Sequence, residues 1–164
     1  MKPGIKALIF DWGNTIMRDF PECPGPMASW EHVEWIPFAE HVLKELHQKY
    51  ICCIASNAGF SDTALMIDAL KRLGAEKYFN YFFTSLDLGF EKPDIRFFTA
   101  IGKQIGIEHG ACVMIGNDYS KDIVGAKKTG MTTVFFNENN EQGNFPAADH
   151  IINSMQELIS LLKN

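Results

Sequence analysis

Four short stretches of this 164-residue chain carry side chains that could do covalent chemistry. Asp11 is followed four positions later by Thr15. Ser56 and Asn57 stand together, Lys92 precedes Pro93, and Gly116-Asn117-Asp118 leads on to Asp122. They supply a carboxylate, a hydroxyl, a fixed positive charge and an acidic cluster, the types on which nucleophilic and charge-stabilised reactions draw. Any one of them alone is more often a helix cap or a solvated charge. Their weight comes from where the surrounding elements put them.

Apolar runs alternate with amphipathic ones, the pattern of βαβ units and a parallel sheet. Residues 5–10, 50–55, 81–85, 111–115, 132–136 and 150–152 read as strands. Helices are predicted over 38–48, 62–73, 94–105, 121–129 and 154–163. In the first, Pro37 opens the turn and Phe38, Val42, Leu43 and Leu46 share a face. Ser61 is the expected cap of the second, which Lys71, Arg72 and Gly74 close. Pro93 and Asp94 open the third, and Gly130 ends the fourth. The expectation is one α/β domain over 1–164, a three-layer, doubly wound, Rossmann-like fold on a mainly parallel sheet. Such sheets bind ligands beyond the carboxyl ends of their strands. All four chemical stretches fall on that edge.

Two stretches have no clear period: 18–36, rich in Pro and Trp, and 137–149, rich in Asn and Gly. Loops of this length in a compact domain are often functional. Phe20, Trp30 and Trp35 either form a flap or subunit contact, or pack on the chain's own helices. Asp19 could lend a carboxylate to the site, but nothing in the sequence places it there.

The net charge of −5 and pI near 5.5, with no basic run, argue against nucleic acid as a partner. No apolar run is long enough to span a membrane, and the apolar stretch ending at Phe10 is too short for a signal peptide. A cytoplasmic protein is expected. Of four cysteines, Cys52, Cys53 and Cys112 sit in strand-like runs and read as reduced core thiols; Cys23 lies in the first loop. Neither they nor the five histidines have zinc-ligand spacing.

Taken together, Asp11-x-x-x-Thr15, Ser56, Lys92-Pro93 and Gly116-Asn117-Asp118-x-x-x-Asp122 closely resemble the four motifs of the haloacid dehalogenase superfamily. The tail Ile123 to Met131 matches as well, and the resemblance covers nearly the whole chain. It implies a phosphatase in which Asp11 is the nucleophile and forms an aspartyl-phosphate. Ser56, with Asn57 beside it, would hold the transferring phosphoryl oxygens, and Lys92 would stabilise them and Asp11 by its charge. Asp122 would orient the site. It also implies Mg²⁺, which takes hard oxygen ligands and bridges a carboxylate to a phosphoryl oxygen. The ligands would be Asp11, the Gly13 carbonyl and a side chain from motif four. Two ways of counting that motif put either Asn117 or Asp118 at the ligand position.

One position departs from the family. The residue two beyond the nucleophile is ordinarily an Asp that protonates the leaving group and then activates water. Here it is Gly13. Phosphonoacetaldehyde hydrolases, with Asp-Trp-Ala-Gly-Thr, and haloacid dehalogenases lack that acid too, but the intervals around Ser56 leave no room for the cap domain they use. The reading is therefore a capless phosphatase, weak or biased towards activated phosphates, acting on a small phosphorylated substrate or a phosphoprotein. A neighbouring subunit could cover its open site. The alternative is a degenerate domain that binds a phosphorylated ligand or a protein partner without turnover.

Overall fold

Burial on both faces explains why the apolar runs become strands. In the computed structural model, which describes residues 4–163, these are β1 (Ala7–Phe10), β2 (Ile51–Ser56), β3 (Tyr81–Thr84), β4 (Cys112–Gly116), β5 (Thr132–Phe136) and β6 (His150–Ile152). Of the single domain expected over 1–164, residues 1–3 and 164 lie outside the described residues. All strand pairs are parallel, in the order β3-β2-β1-β4-β5-β6. Leu8, Phe10, Cys52, Ile54, Val113 and Ile115 face one layer of helices: α1 (Ala39–Leu46), α2 (Thr63–Leu73) and α6 (Glu157–Lys163). Ala7, Ile9, Cys53, Ala55, Cys112 and Met114 face the other, α4 (Ile95–Ile105) and α5 (Val124–Lys128). Cys52 and Cys53 thus serve opposite cores, and burial pushes the Cys52 thiol up to about 12, where it stays protonated.

The chain leaves β1 outward to β2 and β3, then crosses to β4 and continues to β5 and β6. The switch point lies between β1 and β4, where a doubly wound sheet opens its crevice. The Asp11 backbone N–H donates to the Ile115 carbonyl at 2.9 Å, so Asp11 and the residues after Gly116 emerge side by side. Among the described residues no separate domain stands over this edge, and no helix is long and apolar enough to cross a membrane.

Several local expectations are corrected. Phe38 is not on the buried face of α1; it stands before the helix at φ 66° and is 52% exposed, while Ala39 takes the buried place. The cap of α2 is Asp62, whose carboxylate accepts from the Leu65 N–H at 2.9 Å, rather than Ser61, which is buried beside the cleft. Strand 81–85 stops at Thr84, where Thr84 and Asp87 cap a single helical turn, α3 (Ser85–Leu88), that periodicity is too short to reveal. The fourth expected helix begins earlier, as a π-helical turn over Tyr119–Ile123 that runs into α5. The last helix starts at Glu157, whose carboxylate accepts from the N–H groups of Asn153 and Ser154.

Candidate active site

The ends of β1, β2 and β4 and the loop before α4 meet around one buried ammonium. Lys92 is 3% exposed, and its three N–H bonds go to Asp11 Oδ1 at 2.5 Å, Asp122 Oδ1 at 2.7 Å and the Ala55 carbonyl at 3.0 Å. Three donors meet three acceptors, so none is left over for a substrate. Lys92 therefore holds and neutralises the Asp11 carboxylate instead of touching the ligand directly in this arrangement. Burial alone would lower its pKa, but the charges of Asp11 and Asp122 outweigh that and raise it.

Asp122 is 1% exposed, and its second oxygen accepts from the Asp118 N–H at 3.0 Å. Burial, reinforced by the Asp11 charge, pushes its carboxyl up to about 7 against the pull of Lys92. Gly116 makes room for it: a Cβ there would stand 2.2 Å from Asp122 Oδ2. Gly125 does the same for the Lys92 loop, since a Cβ on it would stand 2.7 Å from the Pro93 carbonyl. These two glycines carried no signal in periodicity, yet they let β4 and α5 close on the ion cluster.

The remaining expected residues divide. Ser56 ends β2 on the cleft wall. The Asn57 side chain is spent elsewhere: its amide donates to the Lys92 carbonyl and accepts from the Lys92 N–H, both at 2.8 Å. It clamps the Lys92 backbone and does not offer its amide to a ligand. Asp118 caps the π-helical turn by accepting from the Lys121 N–H at 2.9 Å, and its other oxygen pairs with the Lys121 ammonium at 3.2 Å. Asn117 instead faces motif one. Its amide end lies 3.0 Å from the Gly13 carbonyl, 3.3 Å from Asp11 Oδ2 and 3.2 Å from Thr15 Oγ1.

That geometry tests the implied Mg²⁺. With its NH₂ inward, Asn117 donates to the oxygens around it; with its oxygen inward, it adds a third oxygen to those of Asp11 and Gly13. The Gly13 carbonyl and Asp11 Oδ2 both stand within 3.3 Å of the Asn117 amide end, so hard oxygen donors of the kind Mg²⁺ takes are gathered in one place. Asp11, the Gly13 carbonyl and Asn117 suit a hard dication; Asp118, tied to Lys121, is turned away from that set.

The opposite wall comes from residues 13–36. Asn14 takes a left-handed turn at φ 55°, a conformation Asn tolerates better than most residues. Its N–H donates to the Met17 carbonyl, and its side-chain oxygen accepts from the Asp19 N–H at 3.0 Å. Trp35 is half-buried against the α1 and α2 core, whereas Trp30 is buried within the loop itself, its ring beside Phe20 and its indole N–H donating to the Gly25 carbonyl at 3.2 Å, so the loop is packed and is not a free flap. Arg72 of α2 binds the carbonyls of Met27, Ala28 and Glu31 at 3.2–3.3 Å. Met27, Trp30 and Asp19 share with Asp11 the lining of a cleft of about 460 Å³, at which the exposed Phe60 also stands. Sequence periodicity could not place these four, because three lie in loops and Met27 opens a single 3-10 turn, too short to show a period.

The family profile of haloacid dehalogenase-like hydrolases matches residues 20–136, which include Ser56, Lys92 and Asp122 but not Asp11. The chain belongs to the haloacid dehalogenase-like hydrolase family. It is 30% identical over 142 residues to a ribulose-1,5-bisphosphate 5-phosphatase of Halopiger xanaduensis, covering 80% of this chain and 58% of that one. It is 34% identical over 99 residues to a glyceraldehyde 3-phosphate phosphatase of Methanocaldococcus jannaschii, covering 59% and 43%. The chain thus spans less than two thirds of the length of these relatives. An uncharacterized protein from Listeria monocytogenes serotype 4b superposes with a TM-score of 0.82 at 25% identity, covering 97% of this chain and 99% of that one.

Proposed function

We propose that this chain is a Mg²⁺-dependent phosphatase that hydrolyses small phosphoric monoesters through an aspartyl-phosphate on Asp11. The observation that carries the reading is the state of Asp11. One oxygen is fixed by Lys92, while the carboxylate, 8% exposed, opens on the cleft with Thr15 and Asn117 at its other oxygen. A nucleophile so held attacks without first losing a full water shell. Asp11, the Gly13 carbonyl and Asn117 would hold Mg²⁺, which supplies positive charge to the phosphoryl group. Ser56, on the cleft wall, would donate its hydroxyl to a phosphoryl oxygen. Lys92 orients Asp11 and offsets its charge, and Asp122 and Asn57 keep Lys92 in place. Related proteins named for ribulose-1,5-bisphosphate and glyceraldehyde 3-phosphate support phosphorylated sugars as the first substrates to try. A cleft of about 460 Å³ is in the range of small-molecule sites.

A second reading, a domain that binds a phosphorylated ligand without turnover, draws on Gly13, which has no proton to give. One experiment separates the two: hydrolysis of aryl, acyl and alkyl phosphates with and without Mg²⁺, by the wild type and by Asp11→Asn. Turnover by the wild type should require Mg²⁺ and fall by at least ~10³-fold in the variant, with loss of the trapped phospho-enzyme. Undiminished activity of Asp11→Asn removes the reading; phosphate-ester binding without turnover by either protein favours the second.

A further inference from the structure

An alkyl phosphate cannot be cleaved well unless its departing oxygen receives a proton. Gly13 leaves that duty unassigned. Four carboxyl groups line the cleft, those of Asp11, Asp19, Asp118 and Asp122. Asp11 and Asp122 share the Lys92 ammonium, and Asp118 is tied to Lys121 by its side chain and its cap. Asp19 alone among these four has no cationic partner among the described residues.

Its position is specific. A Cβ built on Gly13 would stand 3.6 Å from Asp19 Cβ and 3.7 Å from Asp19 Oδ2, with Met27 Cε at 3.5 Å. The Asp19 carboxyl therefore lies where a side chain leaving residue 13 would point. We propose that Asp19, reaching in from the following loop, is the catalytic acid and base that residue 13 does not supply. This rests on the phosphatase reading above.

Its placement is constrained from three sides. Asn14 accepts from the Asp19 N–H, the neighbouring Arg18 N–H donates to the Glu34 carbonyl at 2.8 Å, and the Arg18 guanidinium pairs with both oxygens of Glu138 at 2.7 and 2.9 Å. Burial and the nearby Asp11 charge both favour the protonated form of the Asp19 carboxyl.

The step balances as follows. An Asp11 oxygen attacks phosphorus, the bond from phosphorus to the ester oxygen breaks, and that oxygen keeps the electron pair and takes the Asp19 proton, so the alcohol leaves neutral. The Asp19 carboxylate then takes a proton from water as the water oxygen attacks the phospho-aspartate. The bond between phosphorus and Asp11 breaks, phosphate leaves, and Asp11 is ionised and Asp19 protonated again.

The test is the leaving-group dependence of Asp19→Asn, which is isosteric and half-exposed. Hydrolysis of an alkyl phosphate should fall by about 10²–10⁴-fold, the usual general-acid effect, while the first turnover of a nitrophenyl phosphate falls less than ~10-fold. The nitrophenolate should appear as a burst, because water attack is also slowed. Gly13→Asp alone should bring no gain, since its carboxylate crowds Asp19, but Gly13→Asp combined with Asp19→Asn should restore much of the alkyl activity. Equal losses on both esters, or no loss, would overturn the role of Asp19 while leaving the phosphatase reading intact. Failure of the wild type to hydrolyse either ester would overturn both.

Discussion

On one side of the cleft, Lys92, Asp11 and Asp122 stand on strand ends and helix starts, nearly sealed from water, with every polar atom of Lys92 matched. On the other side, Asp19, Met27 and Trp30 stand on an irregular strap whose grip comes from a few side-chain bonds, those of Asn14, Arg18 and Arg72. On the proposed reading the first wall fixes charge where phosphoryl transfer needs it. The second would meet the leaving group, and it lies outside the sheet. On the proposal above, residue 19 supplies what residue 13 lacks because both point into one volume, whereas the Lys92 ammonium is fixed by three acceptors at once.

The largest effect should follow from breaking the first wall at its centre. Lys92→Met removes the ammonium and leaves two carboxylates facing one another under burial. Loss of one partner from a buried ion pair typically costs about 3–5 kcal/mol. Urea unfolding should report a loss of that order, and Mg²⁺ should recover part of it by binding the folded state. If stability is unchanged, the cluster is better hydrated than its burial indicates.

A smaller effect distinguishes the two walls by pH. In the folded protein the Asp122 carboxyl is raised from its ordinary value near 3.8 to about 7, burial being the first cause. A raised carboxyl holds a proton that the unfolded chain releases, so its stabilising contribution is present below pH ~4 and is lost as pH rises towards 7. Lys92 stays charged throughout that window, because its pKa is raised. In EDTA, Asp122→Asn should therefore gain stability relative to wild type between pH 4 and pH 7. The constant offset from placing an amide NH₂ against the Asp118 N–H does not affect this slope. Asp19 is shifted in the same direction but is only half-buried, so Asp19→Asn should flatten the profile less. Equal slopes would mean that the strap is as dry as the sheet edge.

This contrast also explains what the sequence could reveal. Asp11, Ser56, Lys92 and Asp122 stood out as candidates because apolar runs set the strand ends and because their order matches the four motifs of the family. The sheet, its three layers and the absence of room for a cap followed from the same periodicity. The duties of Asn57, Asn117 and Asp118 were not legible, since three polar side chains at strand ends look alike until their hydrogen bonds are known. Asn57 turned to the Lys92 backbone, Asp118 to Lys121, and Asn117 to Gly13. Asp19 was visible only as an acid in a loop without period. What places it is a left-handed turn at Asn14 and an ion pair from Arg18 to Glu138, 120 residues away in sequence.

The smallest effect tests whether the strap is held in place or merely rests there. Arg72 lies on the exposed side of α2, and its guanidinium donates to the carbonyls of Met27 and Ala28 and to that of Glu31. These bonds compete with water, so Arg72→Ala should lower stability by no more than about 1 kcal/mol. The buried Trp30, whose indole N–H donates to the Gly25 carbonyl at 3.2 Å, keeps the strap folded in the variant. The wall formed by Met27 and Trp30 should nevertheless loosen. KM for small phosphate esters should then rise several-fold, while kcat for a nitrophenyl phosphate stays within about twofold, because the Lys92 cluster is untouched. A fall in kcat equal to the rise in KM would show that the two walls move as one body, and the division drawn between them would fail.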